Sequence, residues 1–271
     1  MRTIQVGSVT NVIDTHSHCL PLVDHGSPDL ETTLRMIEAA AALGTTTICC
    51  TPHLYEYDPD LVERARETHR EVAAALETAD IPVRLLLGFE VDLTVATTVE
   101  PDILRTLCIQ NDGSESSGGA LVVEMPFTNW PPFFEETIFR LTTAGLIPII
   151  AHPERNDRVQ RSPEVLESCI NAGAVLQGTS GSLTSLFRKD SQKTFLELLA
   201  RGWFGLLASD GHSTPEYTWT VGAMLAELST RLTPEDRDLL VSVNPARVLE
   251  GKRPIPLVPK RPPRRGRRLF G

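Results

Sequence analysis

The sequence predicts an α/β protein in which about seven parallel strands alternate with helices. The expected arrangement is a distorted seven-stranded TIM-like barrel, with a doubly wound sheet as the alternative. Three observations lead there. Short, apolar, β-branched runs recur along the chain, and each is followed by a stretch with helical apolar spacing. Such alternation implies parallel strands joined by right-handed crossovers. Histidines and carboxylates end six of the strand-like runs, as they would if all faced one cavity.

Taken in order, "VIDTHSH" (12–18) reads as a strand, and "DLETTLRMIEAAAALG" (29–44) as a helix. Leu30, Leu34, Ile37 and Ala41 give that helix an apolar face, and Gly44 stops it. "TTTICCTPH" (45–53) is the next strand, and residues 59–79 form a long amphipathic helix in which His69, among Arg and Glu, is expected to be solvated. "VRLLLGFEVDL" (83–93) and "GALVVEMPF" (119–127) are strands, and "FEETIFRLTTAG" (134–145) is a helix. "IPIIAHPERN" (147–156) is a strand ending in a polar loop, "PEVLESCINAG" (163–173) is helical and "AVLQGTSGSL" (174–183) is strand-like. "KTFLELLARG" (193–202) is a helix and "WFGLLASDGHS" (203–213) a strand with its loop. Residues 219–232 and 234–251 close the chain with helices. Residues 111–119, "NDGSESSGG", have the composition of a flexible surface loop.

With 271 residues, 41% of them apolar, the chain can bury one substantial core. No apolar run is long enough to span a membrane, and the first residues lack a signal-peptide pattern, so a cytoplasmic location is expected. The five cysteines, Cys19, Cys49, Cys50, Cys108 and Cys169, are odd in number and lack C-x-x-C spacing. They suggest neither a disulfide framework nor a structural zinc site, and Cys49 and Cys50 read as small buried hydrophobes. Eight basic residues and no acidic ones lie between Lys252 and Arg268. Removing those eight charges from a net −9 leaves the body at −17, which argues against general nucleic-acid binding. Residues 1–251 are therefore expected to form one domain and 252–271 a basic, proline-rich, solvated tail.

The chemistry lies at the strand ends. His16 and His18 end the first strand and point the same way, because strand side chains alternate faces. His53, Glu90, Glu124 and His152 end the following runs, and Asp210 and His212 end the last. Imidazole with carboxylate suits zinc, manganese or iron. Eight such groups exceed the needs of one tetrahedral ion and suit two or three ions sharing a bridging carboxylate. Without cations the cluster would be costly, since like charges repel and buried charge needs a partner.

These motifs resemble those of the polymerase and histidinol phosphatase (PHP) superfamily, and within it the bacterial capsule- and exopolysaccharide-locus tyrosine phosphatases of the CpsB/CapC/YwqE type. The resemblance rests on "IDTHSH", "TPH", "GFE", "VEMP", "AHPERN", "TSGSL", "ASDGH" and "NPARVLEGK", in that order, across residues 12–252. It implies a barrel with two or three ions, manganese first and iron or zinc as alternatives. His16, His18, Glu90 and Asp210 would hold the first ion, and Glu90, Glu124 and His152 the second, with Glu90 bridging. His53 and His212 would hold the third. The family's remaining third-site ligand is an aspartate in a "DDG" run; here the run reads "DHG", which places His25 there, with Asp24 as a substitute ligand.

The resemblance further implies hydrolysis of a phosphate monoester, phosphotyrosine first, by a hydroxide bridging two ions. Arg155 would hold a phosphoryl oxygen, and the third ion or a protonated histidine such as His212 would help the leaving oxygen. The partner implied is a phosphotyrosine protein, for example a polysaccharide-synthesis tyrosine kinase. The family carries basic residues shortly after its last Asp-x-His, whereas "SDGHSTPEYTWT" offers Glu216 and no arginine. Other phosphoesterase activities of the superfamily, or a metal-binding regulatory protein with weak catalysis, stay open at this level.

Overall fold

The computed structural model describes residues 11–110, 119–183, 189–212 and 220–259. Its nine strands are β1 (Val12–Ser17), β2 (Thr45–Cys50), β3 (His53–Leu54), β4 (Arg84–Leu87), β5 (Glu90–Asp92), β6 (Ala120–Glu124), β7 (Ile147–Ala151), β8 (Val175–Thr179) and β9 (Phe204–Ala208). Nine appear where seven were expected because two runs are interrupted. Pro52, which has no N–H to donate, separates β2 from β3. Gly88 separates β4 from β5, and a Cβ there would lie 2.7 Å from the side chain of Ile109.

Among the described residues every strand pairing is parallel, in the orders β1-β2-β4 and β3-β5-β6-β7-β8-β9. The chain is therefore a mixed α/β fold built on parallel sheets. Gly88 N–H to Cys50 O (2.9 Å) extends the β2–β4 pairing and Glu90 N–H to Pro52 O (3.1 Å) the β3–β5 pairing, so the two sheets are continuous along the chains that run from β2 to β3 and from β4 to β5. At the far side, Asp210 N–H donates to His16 O and His18 N–H to Gly211 O, each at 2.9 Å, which joins the end of β9 to β1.

Alternation along the strands sorts the core into two layers. Ile13, Cys49, Leu86, Val122, Ile149, Val175 and Leu206 pack together on one face with Val248 and Leu249. Their neighbours Val12, Ile48, Cys50, Leu121, Val123, Ile150, Leu176 and Leu207 face the surrounding helices.

The longer helices fall close to the expected positions and have local causes. The first, α1 (Leu30–Ala41), starts at Asp29, whose side chain accepts the Thr32 N–H, and its chain turns at Gly44 with φ +94°. Its buried side is Thr33, Ile37 and Ala40, so Leu30, expected on that face, is 41% exposed. The second, α2 (Pro59–Thr78), has Pro59 in its first turn after the capping Asp58. His69 is half-buried rather than solvated. It lies four residues after Ala65 and three before Val72, on the face that α2 packs inward, and burial lowers its pKa despite a backbone hydrogen bond at Leu85. Two short helices, α3 (Leu93–Thr98) and α4 (Pro101–Leu107), occupy a stretch that carries no sequence-level helix signal of adequate length.

The packed chain also runs beyond the expected boundary at Gly251. Arg253 Nη1 donates to Gly173 O (2.6 Å), Ile255 N–H donates to Asn244 Oδ1 (2.7 Å), and Leu257 is buried in the helix-facing core. These contacts come from elements far away in sequence, and composition alone does not reveal them. The rest of the expected tail, 260–271, lies outside the described residues, as do 111–118 of the expected loop and Glu216. No helix among the described residues is long and apolar enough to cross a membrane.

Candidate metal centre

The carboxyl ends of the strands bring the histidines and acids into one buried cluster. Register does part of this work: His53 is the partner of Glu90 across β3 and β5, and Asp92 is the partner of Glu124 across β5 and β6. His152 follows β7 directly and Asp210 lies two residues beyond β9; both adopt left-handed backbone conformations, with φ +36° and +52°. Such conformations are disfavoured outside glycine and occur at functional sites where surrounding structure enforces them.

Glu90 is the hub and has no solvent exposure. Its Oε2 lies 3.2 Å from His16 Nε2, 3.3 Å from His18 Nε2 and 3.0 Å from His53 Nδ1, while Oε1 lies 3.0 Å from His152 Nε2. Asp210 Oδ1 is 3.6 Å from His16 Nε2 and 3.3 Å from His18 Nε2. Glu124 Oε2 is 3.4 Å from His53 Nδ1. Three groups of donor atoms converge: His16, His18 and Asp210; His53, Glu90 and Glu124; and His18, His53 and His212.

This grouping differs from the expected one in detail. His18 completes the set with His53 and His212, where His25 was expected. His25 lies at the edge of the cluster, with Nε2 3.2 Å from His212 Nε2 and its ring stacked on His53 at 4.8 Å. Asp24 stands behind His18 instead of facing the cluster. Its Oδ2 accepts from His18 Nδ1 (2.7 Å) and from His53 N–H (3.0 Å), and Oδ1 accepts from Gly26 N–H (2.8 Å).

The donor set suits bound cations. His16 Nδ1 is held by Gln177 Oε1 at 2.8 Å and His18 Nδ1 by Asp24, so both rings aim Nε2 inward. The two Nε2 atoms are 3.1 Å apart, which is appropriate for two lone pairs converging on a cation and unfavourable for two N–H groups. Glu90 Oε2 and His53 Nδ1 are buried without a hydrogen-bond partner among the described residues, as ligand atoms are when the partner is a metal.

Charge distribution agrees. Burial opposes protonation of His16, yet Glu90 and Asp210 carry its imidazole up to about 8. His18 rises against burial for the same kind of reason, through Asp210, Asp24 and Glu90. Glu90 and Asp210 are held well below the carboxylate range despite burial, Glu90 mainly by His16 and Asp210 mainly by His18. Asp24, Glu90 and Asp210, all held below the usual carboxylate range, thus create a field at the cluster that favours positive charge. His212 is the exception: burial, and then His18, push it down to about 4, so it is neutral near pH 7.

Around the cluster lies an open cleft of about 540 Å³ lined by His25, His53, Tyr55, Glu124, Phe127, His152, Arg155, Asp210 and His212. Arg155 Nη1 is 3.1 Å from Asp210 Oδ2, and its guanidinium lies 4.3 Å over the Phe127 ring. Tyr55 stacks on His53 at 4.9 Å between ring centres and is 59% exposed. The "HPERN" loop that carries Arg155 is anchored by its neighbours. Buried Glu154 accepts from Thr179 N–H (3.1 Å) and Ser182 Oγ (2.6 Å), which explains why "TSGSL" accompanies it. Asn156 Oδ1 caps the following turn at Arg158 and Val159.

Asp24, Gln177, Tyr55 and Phe127 were not picked out as site residues in these roles from sequence. Tyr55 and Phe127 carry a signal in hindsight: each sits two or three residues past a strand-end ligand, His53 or Glu124, where the chain must pass the mouth. Gln177 carries a weaker one, as a polar residue inside an otherwise apolar strand.

Parallel strands that deliver imidazoles and carboxylates to one end define an α/β protein with a candidate polynuclear metal centre. Residues 12–250 match the family model described as capsular polysaccharide synthesis, CpsB/CapC, and the chain belongs to that family. It is similar to the tyrosine-protein phosphatase YwqE of Bacillus subtilis, with 34% identity over 207 residues, covering 74% of this chain and 78% of the relative. It is 24% identical over 212 residues to the tyrosine-protein phosphatase CpsB of Streptococcus agalactiae, covering 74% of this chain and 83% of the relative. A solved structure from a study of YwqE of Bacillus subtilis and CpsB of Streptococcus pneumoniae, described there as unique metal-dependent tyrosine phosphatases, superposes with a TM-score of 0.79 at 29% identity. That match covers 92% of this chain and 98% of the other. A mutant organophosphorus hydrolase of Deinococcus radiodurans shares the fold at 15% identity and a TM-score of 0.52, covering 89% of this chain and 92% of the other.

Proposed function

We propose that the chain is a metal-dependent phosphatase that hydrolyses phosphotyrosine in proteins of capsule or exopolysaccharide synthesis. The observation that carries this is the Glu90 carboxylate, buried among four imidazoles at the floor of a cleft whose rim holds Arg155, Tyr55 and Phe127. The relatives' names support the substrate class, and the donor chemistry supports the metals. His16, His18, Glu90 and Asp210 would hold one cation, Glu90, Glu124 and His152 a second, and His53 and His212 a third, with His25 at its edge. Oxygen and imidazole donors suit manganese first, with iron or zinc as alternatives. The hydrogen bonds that join the end of β9 to β1, and the runs that carry β2 into β3 and β4 into β5, support closure into one distorted barrel.

Bound cations would supply Lewis acidity, lowering the pKa of water and offsetting charge on the phosphoryl oxygens. The chain supplies position. Arg155 presents a planar fork suited to two phosphoryl oxygens, and stacking on Phe127 holds that fork at the cleft. Tyr55 and Phe127 offer ring faces to an aromatic substrate. His212, neutral near pH 7, serves as a ligand and not as a proton donor. A phenolate, whose parent pKa is about 10, leaves with little acid help, which suits a site in which His212 is neutral near pH 7. A polysaccharide-synthesis tyrosine kinase is the partner this reading implies, and the cytoplasm the location it implies for this chain.

The test uses purified protein with manganese, p-nitrophenyl phosphate and a tyrosine-phosphorylated peptide. Both are expected to be hydrolysed, and a chelator to stop both. Undiminished turnover after metal removal refutes the proposal. Metal bound at stoichiometric levels without turnover of any phosphoester identifies a regulatory protein instead.

A further inference from the structure

Beside the donor cluster lies a pair of thiols that the proposed chemistry does not use. Cys19 Sγ and Cys50 Sγ are 3.2 Å apart and both residues are buried. Strand geometry makes this pair and no other from β2. Cys50 is the register partner of Ser17 on β1, and Cys19 lies two residues further along. Ser17 Oγ donates to Cys19 Sγ at 3.3 Å. Cys49 points to the opposite face, among Ile13 and Leu86, and cannot reach either sulfur. Cys19 also lines a cleft of about 770 Å³ beside α1, with Ser17, Arg35, Ile37 and Ile48. A small oxidant therefore has an approach to one sulfur of the pair, through a cleft that shares no lining residue with the substrate cleft.

We propose that Cys19 and Cys50 form an oxidation site, in which a peroxide closes a disulfide that loosens the neighbouring metal centre. The second half rests on the metal-centre reading above; the first does not. In the first step Cys19 Sγ attacks a peroxide oxygen, the O–O bond breaks, one water leaves with the thiol proton, and Cys19 becomes a sulfenic acid. Cys50 Sγ then displaces that hydroxyl as the second water, taking its own proton, and the S–S bond forms. The two thiols lose two electrons and hydrogen peroxide gains them. No further oxidant is required, and a thiol reductant reverses the change.

Closure moves the ligands because of where the two cysteines sit. Cys19 follows His18 directly, and Cys50 leads through Thr51 and Pro52 to His53. A disulfide is about 2.0 Å long, so the sulfurs must approach by about 1.2 Å from 3.2 Å. The flanking chain is tied in, with Thr51 N–H donating to Ser17 O at 2.8 Å, so the shift passes to both ligand-bearing ends. His18 and His53 both contact Glu90 Oε2, the point where the donor groups meet. Perturbing the support of metal ligands lowers affinity by about 10–100-fold, and a loss of that size is expected here.

The experiment treats full-length, manganese-loaded protein with hydrogen peroxide, maps non-reduced peptides by mass spectrometry, and measures manganese affinity by dye competition before and after. The expected result is a peptide pair joined through Cys19 and Cys50, two hydrogens lighter than the free peptides, with weakened manganese binding restored by dithiothreitol. Cys50→Ala is expected to form no link and to keep its manganese affinity under peroxide; if it does not fold, the wild-type map still decides. A linkage through Cys49, Cys108 or Cys169, or a Cys19 that stays a thiol or ends as sulfinic acid, overturns the site. A Cys19–Cys50 bond with unchanged manganese affinity overturns the coupling. Protein that never binds manganese, iron or zinc refutes the metal-centre reading, while the peptide map separately judges the thiol pair.

Discussion

Asp24 makes no contact with substrate in the proposed scheme, yet its removal is expected to cripple metal binding. Its carboxylate accepts three hydrogen bonds, from His18 Nδ1 at 2.7 Å, His53 N–H at 3.0 Å and Gly26 N–H at 2.8 Å. The imidazole bond is charge-assisted, a class of interaction contributing about 1.5–3 kcal/mol. It also keeps the His18 proton on Nδ1, so that Nε2 offers a lone pair to the cluster. At about 1.4 kcal/mol per factor of ten, Asp24→Ala should weaken manganese binding about 10–100-fold, within the range known for supports of metal ligands. Asp24→Asn should do less. An amide that keeps its oxygen on His18 and His53 turns its NH₂ against Gly26 N–H and loses only that one bond. Manganese competition gives the affinities, and p-nitrophenyl phosphate turnover at saturating metal reports what survives once the site is refilled. Binding by Asp24→Ala within about twofold of wild type, or ~0.4 kcal/mol, refutes the idea that this carboxylate orients the ligand.

Glu90→Ala removes the hub that four imidazoles share and should lower both metal content and turnover by more than about 100-fold, measured by elemental analysis and phosphopeptide assay. Gly26→Ala has no room: its Cβ would lie 2.0 Å from His18 O and 2.7 Å from His18 Cβ, so the turn must move with His18, and manganese affinity should fall. Arg155→Lys keeps a charge but loses the planar fork and the stacking on Phe127; KM for p-nitrophenyl phosphate should rise severalfold with metal content unchanged. Asp14 gives a pH signature in metal-free protein. Burial pushes its carboxyl up to about 6 from an ordinary 3.8, so the folded state holds its proton more tightly than the unfolded chain does. Stability from this group is therefore present below pH 3.8 and lost as pH rises to about 6, a change of about 3 kcal/mol. Denaturation of Asp14→Asn should show its stability gaining on wild type by roughly that amount between pH 4 and 6.5, and parallel profiles would contradict the assignment.

Much of the site was legible because the signal is local. An apolar, β-branched run ending in His, Glu or Asp states both that a parallel strand is present and that its carboxyl end carries a donor. His16 and His18 could be placed on one face by the two-residue period alone, and their Nε2 atoms indeed meet at 3.1 Å. Cys49 and Cys50, read as small buried hydrophobes, are both buried, one in each layer of the core. Other features needed contacts between distant elements. His69 reads as solvated beside its charged neighbours, but the face that counts is set by Ala65 and Val72, four and three residues away. Residues 252–259 belong to a stretch whose composition reads as a free tail, yet Asn244, Gly173 and the core around Leu257 hold them.

What the sequence alone determined is the kind and order of the donors: imidazoles and carboxylates at the ends of buried strands, chemistry that calls for cations. Which donors share a position was decided by the tertiary structure. His18 stands with His53 and His212 where His25 was expected, and Asp24 supports a ligand instead of serving as one. The reason is physical. A strand-end pattern says which way a side chain points within its own strand, but distances between donors depend on the register of neighbouring strands and on the turns between them. Those relations, such as His53 lying opposite Glu90, exist only once the sheets have formed.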